Sequence, residues 1–336
     1  MHARFWHSLD QRTIQCDLCP RYCRLRPGQR GFCFVRENRG GRMLLSTYGR
    51  SSGFAVDPVE KKPLYHFLPG SSTLSFGTAG CNLACRFCQN WHISKSRSAH
   101  TNSVEATPEQ IAATALRLGC SSVAYTYNDP VIFHEYAIDT ALACRERGIR
   151  SVAVTAGQVT EEPRAEFFAA MDAANVDLKS FSSAFYRRHC SADLTCVLDT
   201  LQYIRHETDV WLEVTTLLIP TLNDSSHELE KMTLWFAENL GPDVPLHFSA
   251  FHPDWKLRDL PRTPLETLLR AREIALKNGI RFVYTGNVHY PEGGRTVCPG
   301  CKAVLIERVG YEITQRRLGD DGACKACGAR IPGIYR

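Results

Sequence analysis

Three closely spaced cysteines, Cys81, Cys85 and Cys88, stand in the stretch GTAGCNLACRFCQNWHISK. Their spacing, C-x3-C-x2-C, is neither the paired C-x2-C of a zinc finger nor the single C-x2-C of a thioredoxin-type redox site. Three thiolates without an obvious fourth ligand predict a metal centre with one open position. If that centre is a [4Fe–4S] cubane, its uncoordinated iron can chelate the amino and carboxylate groups of S-adenosylmethionine (SAM). The alternative is a zinc site that His92 completes.

A second cysteine group lies near the end of the sequence. It consists of two C-x2-C pairs, Cys298 with Cys301 and Cys324 with Cys327, and twenty-two residues lie between the pairs. Four thiolates close a tetrahedral site, which predicts structural Zn²⁺. The strand-like segment AVLIERVGYEIT between the pairs fits a zinc ribbon. The alternative is two dithiols that bind no metal.

A third group, near the start, has the spacing C-x2-C-x3-C-x9-C and consists of Cys16, Cys19, Cys23 and Cys33. Four thiolates can hold either Zn²⁺ or an auxiliary [4Fe–4S] cluster, or the thiols can be unligated. The sequence does not distinguish the two metals, and zinc is our working prediction. The remaining cysteines are predicted to be ordinary buried or half-buried thiols: Cys120, Cys144, Cys190 and Cys196.

The composition supports metal binding by these groups. The N-terminal stretch MHARFWHSLDQR has no apolar segment for export, and no run approaches the 18 apolar residues of a membrane span, so we expect a cytoplasmic protein without a membrane partner. Because the cytosol is reducing, fifteen cysteines are better explained by metals than by disulfides. The net charge of +5 is mild and no block of five or more like charges occurs, so we expect no nucleic-acid partner.

Short apolar segments alternate with helical patterns from residue 74 to about 285. This alternation predicts an α/β protein with a parallel sheet and right-handed crossovers. With six or seven units, a partial or complete (βα) barrel is favoured over a doubly wound sheet. The predicted strands are TLSFGTA, SVAYTYN, SVAVTA, NVDLKSF, VWLEVTTLLIP, PLHFSAF and RFVYTGN.

Polar side chains follow these strands where a barrel would use them. Asn128 and Asp129 end the second strand, Thr155 and Gly157 the third, Lys179 the fourth and His252 the sixth. The triple-cysteine loop follows the first strand. Because barrel active sites are assembled at the carboxyl ends of the strands, we expect all of these residues to face one mouth.

The sequence therefore predicts three regions. Residues 1–73 form a Cys-rich N-terminal extension with a hairpin around RMLLSTYG, residues 74–295 form the barrel core, and residues 296–336 form a zinc-ribbon-like segment. No internal repeat is visible beyond the strand–helix pattern.

These motifs together resemble a known family. C-x3-C-x2-C with Phe87 before the last cysteine is the radical SAM signature, and the chain resembles the pyruvate formate-lyase-activating-enzyme-like branch. More closely, it resembles the radical SAM member of the AmmeMemoRadiSam system. The motifs that carry the resemblance are CDLCPRYC, DPVEKKPLYHFLPGSSTLSFGTAGCNLACRFCQNWHISK, AYTYNDPVIFHEY, VDLKSF, TTLLIPTLND and PLHFSAFHPDWK. The resemblance implies a [4Fe–4S] cluster on the three cysteines and reductive cleavage of SAM.

The resemblance also implies roles for single residues. YNDP stands where the family binds the SAM amino group, so Asn128 and Asp129 are implied to accept hydrogen bonds from it, although Glu is more usual than Asp there. Lys179 matches a lysine that meets the SAM carboxylate or ribose, and His252 matches a histidine near the nucleoside. TAG at 155–157 departs from the family's Thr-Asn-Gly. Four more residues are candidates for either the substrate side or a surface loop: His66, Asp254, Trp255 and Lys256.

Three functions follow from these observations. The first is a radical SAM enzyme that abstracts hydrogen from an unidentified substrate, with an external flavodoxin- or ferredoxin-type electron donor. The second is an activase that installs a glycyl radical on a partner enzyme. The third is a non-enzymatic zinc-ribbon binding module. The family association implies AMMECR1-like and Memo-like companion proteins.

Overall fold

The computed structural model describes residues 1–98 and 103–336. Its N-terminal region contains a three-stranded antiparallel sheet with strands β1 (Trp6–Ser8), β2 (Ile14–Cys16) and β3 (Arg24–Leu25). The next two strands, β4 (Arg36–Arg39) and β5 (Arg42–Leu45), pair antiparallel. The hairpin predicted around RMLLSTYG is thus confirmed.

A nine-stranded sheet follows. Its strands are β6 (Arg50–Pro58), β7 (Ser72–Gly77), β8 (Ser103–Glu105), β9 (Ser122–Tyr125), β10 (Arg150–Thr155), β11 (Ala173–Asp177), β12 (Trp211–Leu218), β13 (Leu246–Ala250) and β14 (Val283–Gly286). The order from edge to edge is β14-β13-β12-β11-β10-β9-β7-β6-β8. The seven predicted segments correspond to β7 and β9 to β14, and all of these are parallel to their neighbours within that set. The predicted parallel sheet is confirmed.

The other two strands extend this sheet at one edge. β6 pairs antiparallel with β7 and β8, so the sheet begins inside the predicted extension 1–73. Across the described ranges 1–98 and 103–336, the ladders run from β14 to β8 without joining these two edges. The barrel therefore stays a prediction.

Helices connect the parallel strands. They are α1 (Trp91–Ser94), α2 (Pro108–Arg117), α3 (His134–Arg145), α4 (Glu161–Ala169), α5 (Ser183–Phe185), α6 (Leu194–Glu207), α7 (Ser226–Asn239) and α8 (Leu265–Lys277). The start of α2 is well specified, since Thr107 and Gln110 form a capping box and Pro108 occupies the first turn. β11 begins two residues before the predicted strand NVDLKSF, because Ala173 and Ala174 also pair with β10 and β12.

The C-terminal region forms a separate antiparallel sheet of β15 (Thr296–Val297), β16 (Val304–Val309) and β17 (Glu312–Arg316). The strand-like segment predicted between the C-x2-C pairs forms β16 and most of β17. Among the helices of the described ranges, none is long and apolar enough to cross a membrane.

The N-terminal region and the main sheet share one hydrophobic core. Leu18 and Val35 belong to the same buried cluster as Leu83 and Phe87 of the triple-cysteine loop. Burial of apolar surface therefore fixes the N-terminal cysteines against the loop that follows β7.

Candidate active site

A cavity of about 420 Å³ opens at the carboxyl ends of the parallel strands. Six of the seven residues predicted for the cluster and SAM line it: Cys81, Cys85, Cys88, Asn128, Asp129 and Lys179. The convergence predicted from the strand ends is therefore present in the fold.

His252 lies apart from this group. Its side chain is exposed and lines a neighbouring cleft of about 500 Å³. Its Nδ1 lies 3.1 Å from Nε2 of Gln89, which lines both the cleft and the cavity. His252 thus stands at the rim, one side chain away from the cysteine loop.

The loop that carries the three cysteines is fixed by its own polar contacts. Lys95 Nζ donates to the carbonyl oxygen of Leu83 at 2.6 Å, and Ser94 Oγ lies 3.0 Å from Cys88 Sγ. The backbone N–H of Leu83 donates to Cys81 Sγ at 3.5 Å. Burial raises the pKa of the Cys81 thiol to about 12, so a bound metal is needed to hold its thiolate at neutral pH.

Cys190 lies beside this loop, which the sequence did not indicate. It was predicted to be an ordinary buried thiol, and it is fully buried. Its thiol hydrogen-bonds Cys85 and lowers the pKa of Cys85. Its carbonyl oxygen accepts from the backbone N–H of Ala84 at 2.8 Å. The contact joins residues more than a hundred positions apart, so no local pattern could have revealed it.

Asn128 holds the start of the same loop. Its Oδ1 accepts from the backbone N–H of Thr78 at 3.0 Å, and its Nδ2 donates to the carbonyl oxygen of Gly80 at 2.8 Å. Gly77 permits this approach: a Cβ atom there would lie 2.5 Å from the Thr126 carbonyl oxygen and 2.6 Å from Asn128 Oδ1. The Asn128 amide is thus committed to the backbone, with one acceptor lone pair left on Oδ1.

Asp129 is buried and hydrogen-bonded on both carboxylate oxygens. Its Oδ1 accepts from the backbone N–H of Val131 at 3.0 Å and from Thr155 Oγ1 at 3.1 Å, and its Oδ2 accepts from the backbone N–H of Ala156 at 3.0 Å. Burial raises the pKa of Asp129 despite these donors. A ligand cation in the cavity would stabilise its charged form.

Lys179 forms an ion pair that the sequence analysis did not include. Its Nζ lies 2.7 Å from Oδ2 of Asp177, the last residue of β11. Burial alone would lower the pKa of Lys179, but the negative charges of Asp177, Cys85 and Cys190 together outweigh it and hold the pKa well above the usual range. The acidic residue of DLK, two positions before the lysine at a strand end, was the available signal.

Deeper in the sheet, Glu213 on β12 forms a fully buried network. Its Oε2 lies 2.7 Å from His247 Nε2, and it accepts from the backbone N–H groups of Tyr65 and His66. His66 itself is fully buried, with Nδ1 2.7 Å from the Pro332 carbonyl oxygen and Nε2 2.6 Å from Tyr284 Oη. It therefore neither lines the cavity nor lies in a surface loop. An acidic residue within the apolar run VWLEVTTLL was the signal for this network.

The other three candidates for the substrate side lie against the cysteine loop. The Trp255 ring stacks on Trp91 at 4.8 Å between centroids, and Trp91 Nε1 donates to Asp254 Oδ1 at 3.2 Å. The backbone N–H of Lys256 donates to the Arg86 carbonyl oxygen at 2.9 Å. This segment after β13 thus covers the outer side of α1.

The C-terminal cysteines are assembled as a four-thiol group. The sulfurs of Cys298 and Cys327 lie 3.7 Å apart, as do those of Cys301 and Cys324. All four lie within 4.8 Å of one another. Tetrahedral Zn²⁺ with Zn–S bonds of about 2.3 Å requires sulfur separations of about 3.8 Å, so the group fits this ion.

Comparisons with known proteins agree with this geometry. A family model described as the radical SAM superfamily matches residues 76–233. An uncharacterized protein of Methanocaldococcus jannaschii is 40% identical over 330 residues, covering 98% of this chain and 98% of the relative.

Solved structures are similar in fold. Streptococcus suis SuiB bound to its precursor peptide SuiA has a TM-score of 0.51 at 15% identity, covering 69% of this chain and 52% of SuiB. A radical SAM methyltransferase from Sphaerobacter thermophilus has a TM-score of 0.50 at 17% identity, covering 68% of this chain and 69% of that one. This chain thus matches about half the length of SuiB. At these identities the similarity concerns the fold alone.

Proposed function

This chain belongs to the radical SAM superfamily, and on that premise we propose that it reductively cleaves SAM at a [4Fe–4S] cluster and abstracts hydrogen from a substrate with the resulting 5′-deoxyadenosyl radical. The observation that carries the proposal is the shared cavity. Three cysteines with the C-x3-C-x2-C spacing line it together with Asp129 and Lys179. Three thiolates leave one iron of a cubane free for a ligand.

The charges of the cavity suit SAM. We propose that Asp129 accepts a hydrogen bond from the SAM ammonium group, since charge-assisted bonds are the strong ones. Lys179 lies across the same cavity and would meet the SAM carboxylate or ribose. Asn128 contributes chiefly by holding Thr78 and Gly80, and through them the cysteine loop. His252 lies at the rim. To contact the nucleoside side of the ligand, its side chain would turn away from Gln89 and into the cavity.

The proposal extends to the structural metal, the electron donor, the location and the companion proteins. We propose that Cys298, Cys301, Cys324 and Cys327 hold one structural Zn²⁺. We propose that an external flavodoxin- or ferredoxin-type donor supplies the electron. We also propose that the protein acts in the cytoplasm. We further propose that the chain is the radical SAM member of the AmmeMemoRadiSam system, which gives AMMECR1-like and Memo-like proteins as companions to test for binding.

Anaerobic reconstitution tests the function directly. With dithionite, the wild-type protein should convert SAM to 5′-deoxyadenosine, and Cys85→Ala should lose this activity with about four irons fewer per chain. Cys120→Ala is the matched control, because Cys120 is also buried but lies outside the three cysteine groups. Full SAM cleavage by Cys85→Ala would overturn the proposal.

A further inference from the structure

The three cysteine groups differ in how far apart their sulfur atoms lie. Within the described ranges 1–98 and 103–336, Cys298, Cys301, Cys324 and Cys327 are the only set of three or more ligand atoms that lie within 4.8 Å of one another. Neither the triple-cysteine loop nor the N-terminal group has three sulfur atoms within 4.8 Å of one another. A zinc tetrahedron needs sulfurs about 3.8 Å apart, whereas in a cubane each thiolate binds a different iron and the sulfurs stand farther apart.

The N-terminal thiols are nevertheless gathered at one place. Cys16, Cys19 and Cys33 are at most 9% exposed, and Cys23 is half-buried. A Cβ atom on Gly31 would lie 3.7 Å from the sulfurs of both Cys23 and Cys33, and the N–H of Phe32 donates to Cys23 Sγ at 3.5 Å. The backbone N–H of Cys16 donates to the Cys23 carbonyl oxygen at 3.0 Å. This is a buried set of four thiols in which, as in the triple-cysteine loop, no three sulfurs lie within 4.8 Å of one another.

This group lies directly against the triple-cysteine loop. A Cβ atom on Gly80 would lie 2.1 Å from the carbonyl oxygen of Cys33, so the two backbones touch. Gly80 precedes Cys81, and consecutive Cα atoms are about 3.8 Å apart. Arg21, between Cys19 and Cys23 in the sequence, links the two sites, because its Nε donates to the carbonyl oxygen of Asn82, the residue after Cys81, at 2.5 Å.

The outer side of the group is exposed and basic. Between Asp17 and Glu37 the sequence contains five arginines and no acidic residue. Of these, Arg24, Arg26 and Arg30 are exposed, and Arg30 is paired with Glu37 at 3.0 Å. Two apolar rings flank them, Tyr22 at 49% and Phe32 at 41% exposure. Such a surface suits an acidic partner protein.

We propose that Cys16, Cys19, Cys23 and Cys33 hold an auxiliary [4Fe–4S] cluster, and that an acidic one-electron carrier protein docks on the surrounding arginines to reduce it. One electron leaves the carrier and reduces the auxiliary cluster, and the same electron then passes to the centre held by Cys81, Cys85 and Cys88. The relay rests on the proposed function, but the identity of the metal does not. The auxiliary cluster replaces the zinc ion that we predicted from the sequence for these four cysteines.

Metal analysis after anaerobic reconstitution tests the cluster. The wild-type chain should hold about eight irons and about one zinc, and Cys19→Ala/Cys23→Ala should hold about four irons and one zinc. Two zincs and about four irons in the wild type would overturn the proposal. The variant Cys81→Ala/Cys85→Ala/Cys88→Ala should keep about four irons even if the double variant fails to fold.

The two metal variants also separate the proposals. If the triple variant keeps all the iron of the wild type, the proposed function fails while the auxiliary cluster stands. If the double variant keeps all the iron of the wild type, the proposal of an auxiliary cluster fails and the proposed function is unaffected. Electron paramagnetic resonance of the reduced triple variant should show a [4Fe–4S]⁺ signal, and its absence in iron-loaded protein would count against the cluster.

A second measurement tests the docking surface. We expect Arg24→Glu/Arg26→Glu to lower the rate of SAM cleavage about tenfold when a reduced acidic [2Fe–2S] ferredoxin is the donor, with the dithionite-driven rate unchanged. The control is Arg117→Glu/Lys277→Glu, two exposed residues on the outer helices α2 and α8, with the same change of charge. Equal losses in both double variants, or no loss in either, would overturn docking at this surface.

Discussion

Asn128 and Asp129 are adjacent in the sequence, but their side chains bond to different parts of the site. Asn128 reaches back to Thr78 and Gly80 on the cysteine loop, whereas Asp129 reaches forward to the end of β10, to Thr155 and Ala156. The pair therefore ties together the loops after β7, β9 and β10. A ligand bound between the cysteines and Asp129 would meet groups that the fold has already positioned.

Asn128→Ala should weaken the cysteine loop. The substitution leaves the N–H of Thr78 and the carbonyl of Gly80 without a buried partner, at about 1–3 kcal/mol for each group. We expect the free energy of unfolding in urea to fall by about 2–4 kcal/mol and the iron content after reconstitution to decrease. Asn278→Ala, which removes a bond to Thr233 Oγ1 on the outer helices, should leave the iron content unchanged. Equal iron in both variants would contradict this role.

At this scale, the site residues at strand ends were predictable and their partners were not. Asp129 and Lys179 could be assigned because each follows an apolar strand, and parallel strands end at one edge. Cys190 and Glu213 were missed because their contacts depend on the path of the chain in three dimensions. Periodicity shows which residues are buried, but it does not show which buried residues meet.

At the scale of elements, helices and central strands follow from their patterns, and the edge strand does not. β6 lacks a clear alternation, contains Gly53 at φ +71°, and shifts register between Ser52 and Ala55. A bulged strand of this kind gives no period-2 signal. The start of β11 at Ala173 lies two residues before the predicted strand NVDLKSF, since Ala-rich sequence suits a helix as well as a buried strand.

The close packing of β7 against the segment after β9 gives a prediction at this scale. In Gly77→Ala the new Cβ would lie 2.5 Å from the Thr126 carbonyl oxygen, whereas in Gly286→Ala it would lie 3.6 Å from Ser249 Oγ. Both glycines end a strand of the same sheet, and neither requires positive φ. We expect thermal unfolding to show a loss of about 1–3 kcal/mol for Gly77→Ala and under about 1 kcal/mol for Gly286→Ala. Equal losses would mean that the strand can shift to accept the methyl group.

At the scale of the whole molecule, buried polar contacts join the C-terminal region to the main sheet. Arg308 on β16 donates to the carbonyl oxygens of Tyr65 and Gly294 at 2.8 and 3.1 Å, and it lies 3.5 Å from Glu60. Both charged side chains are fully buried. The C-terminal region is therefore attached to the segment after β6 by an ion pair that water does not reach.

Arg308→Ala should consequently be among the most destabilising single changes. It leaves the Glu60 carboxylate buried without its partner, which costs about 3–5 kcal/mol. Arg316→Ala on the neighbouring strand is the control: its ion pair with Asp320 is 3.1 Å long, but Asp320 is 76% exposed, so we expect a loss under about 1 kcal/mol. Guanidinium unfolding of both variants and the wild type measures these losses, and similar losses in the two variants would contradict the role of Glu60.

A buried histidine makes the stability of the whole molecule depend on pH. His134, at the start of α3, packs against Phe5 of the N-terminal region and Phe167 of α4, with ring centroids 5.1 and 5.8 Å away. Its Nε2 hydrogen-bonds the Pro163 carbonyl oxygen at 3.0 Å, while Nδ1 is buried without a partner in the described structure. Burial lowers the pKa of His134 from 6.5 to about 4, because a proton on Nδ1 would be neither solvated nor paired.

The unfolded chain thus binds this proton near pH 6.5 and the folded chain only near pH 4, so stability is present above that window and is lost as the pH falls through it. Between pH 7 and pH 5 we expect His134 to account for about 2 kcal/mol of the decrease in the free energy of unfolding. In urea titrations His134→Gln should therefore lose about 2 kcal/mol less than the wild type over this range. The exposed His206→Gln should follow the wild type, and parallel curves for all three proteins would show that His134 is protonated in the folded state as readily as in the unfolded one.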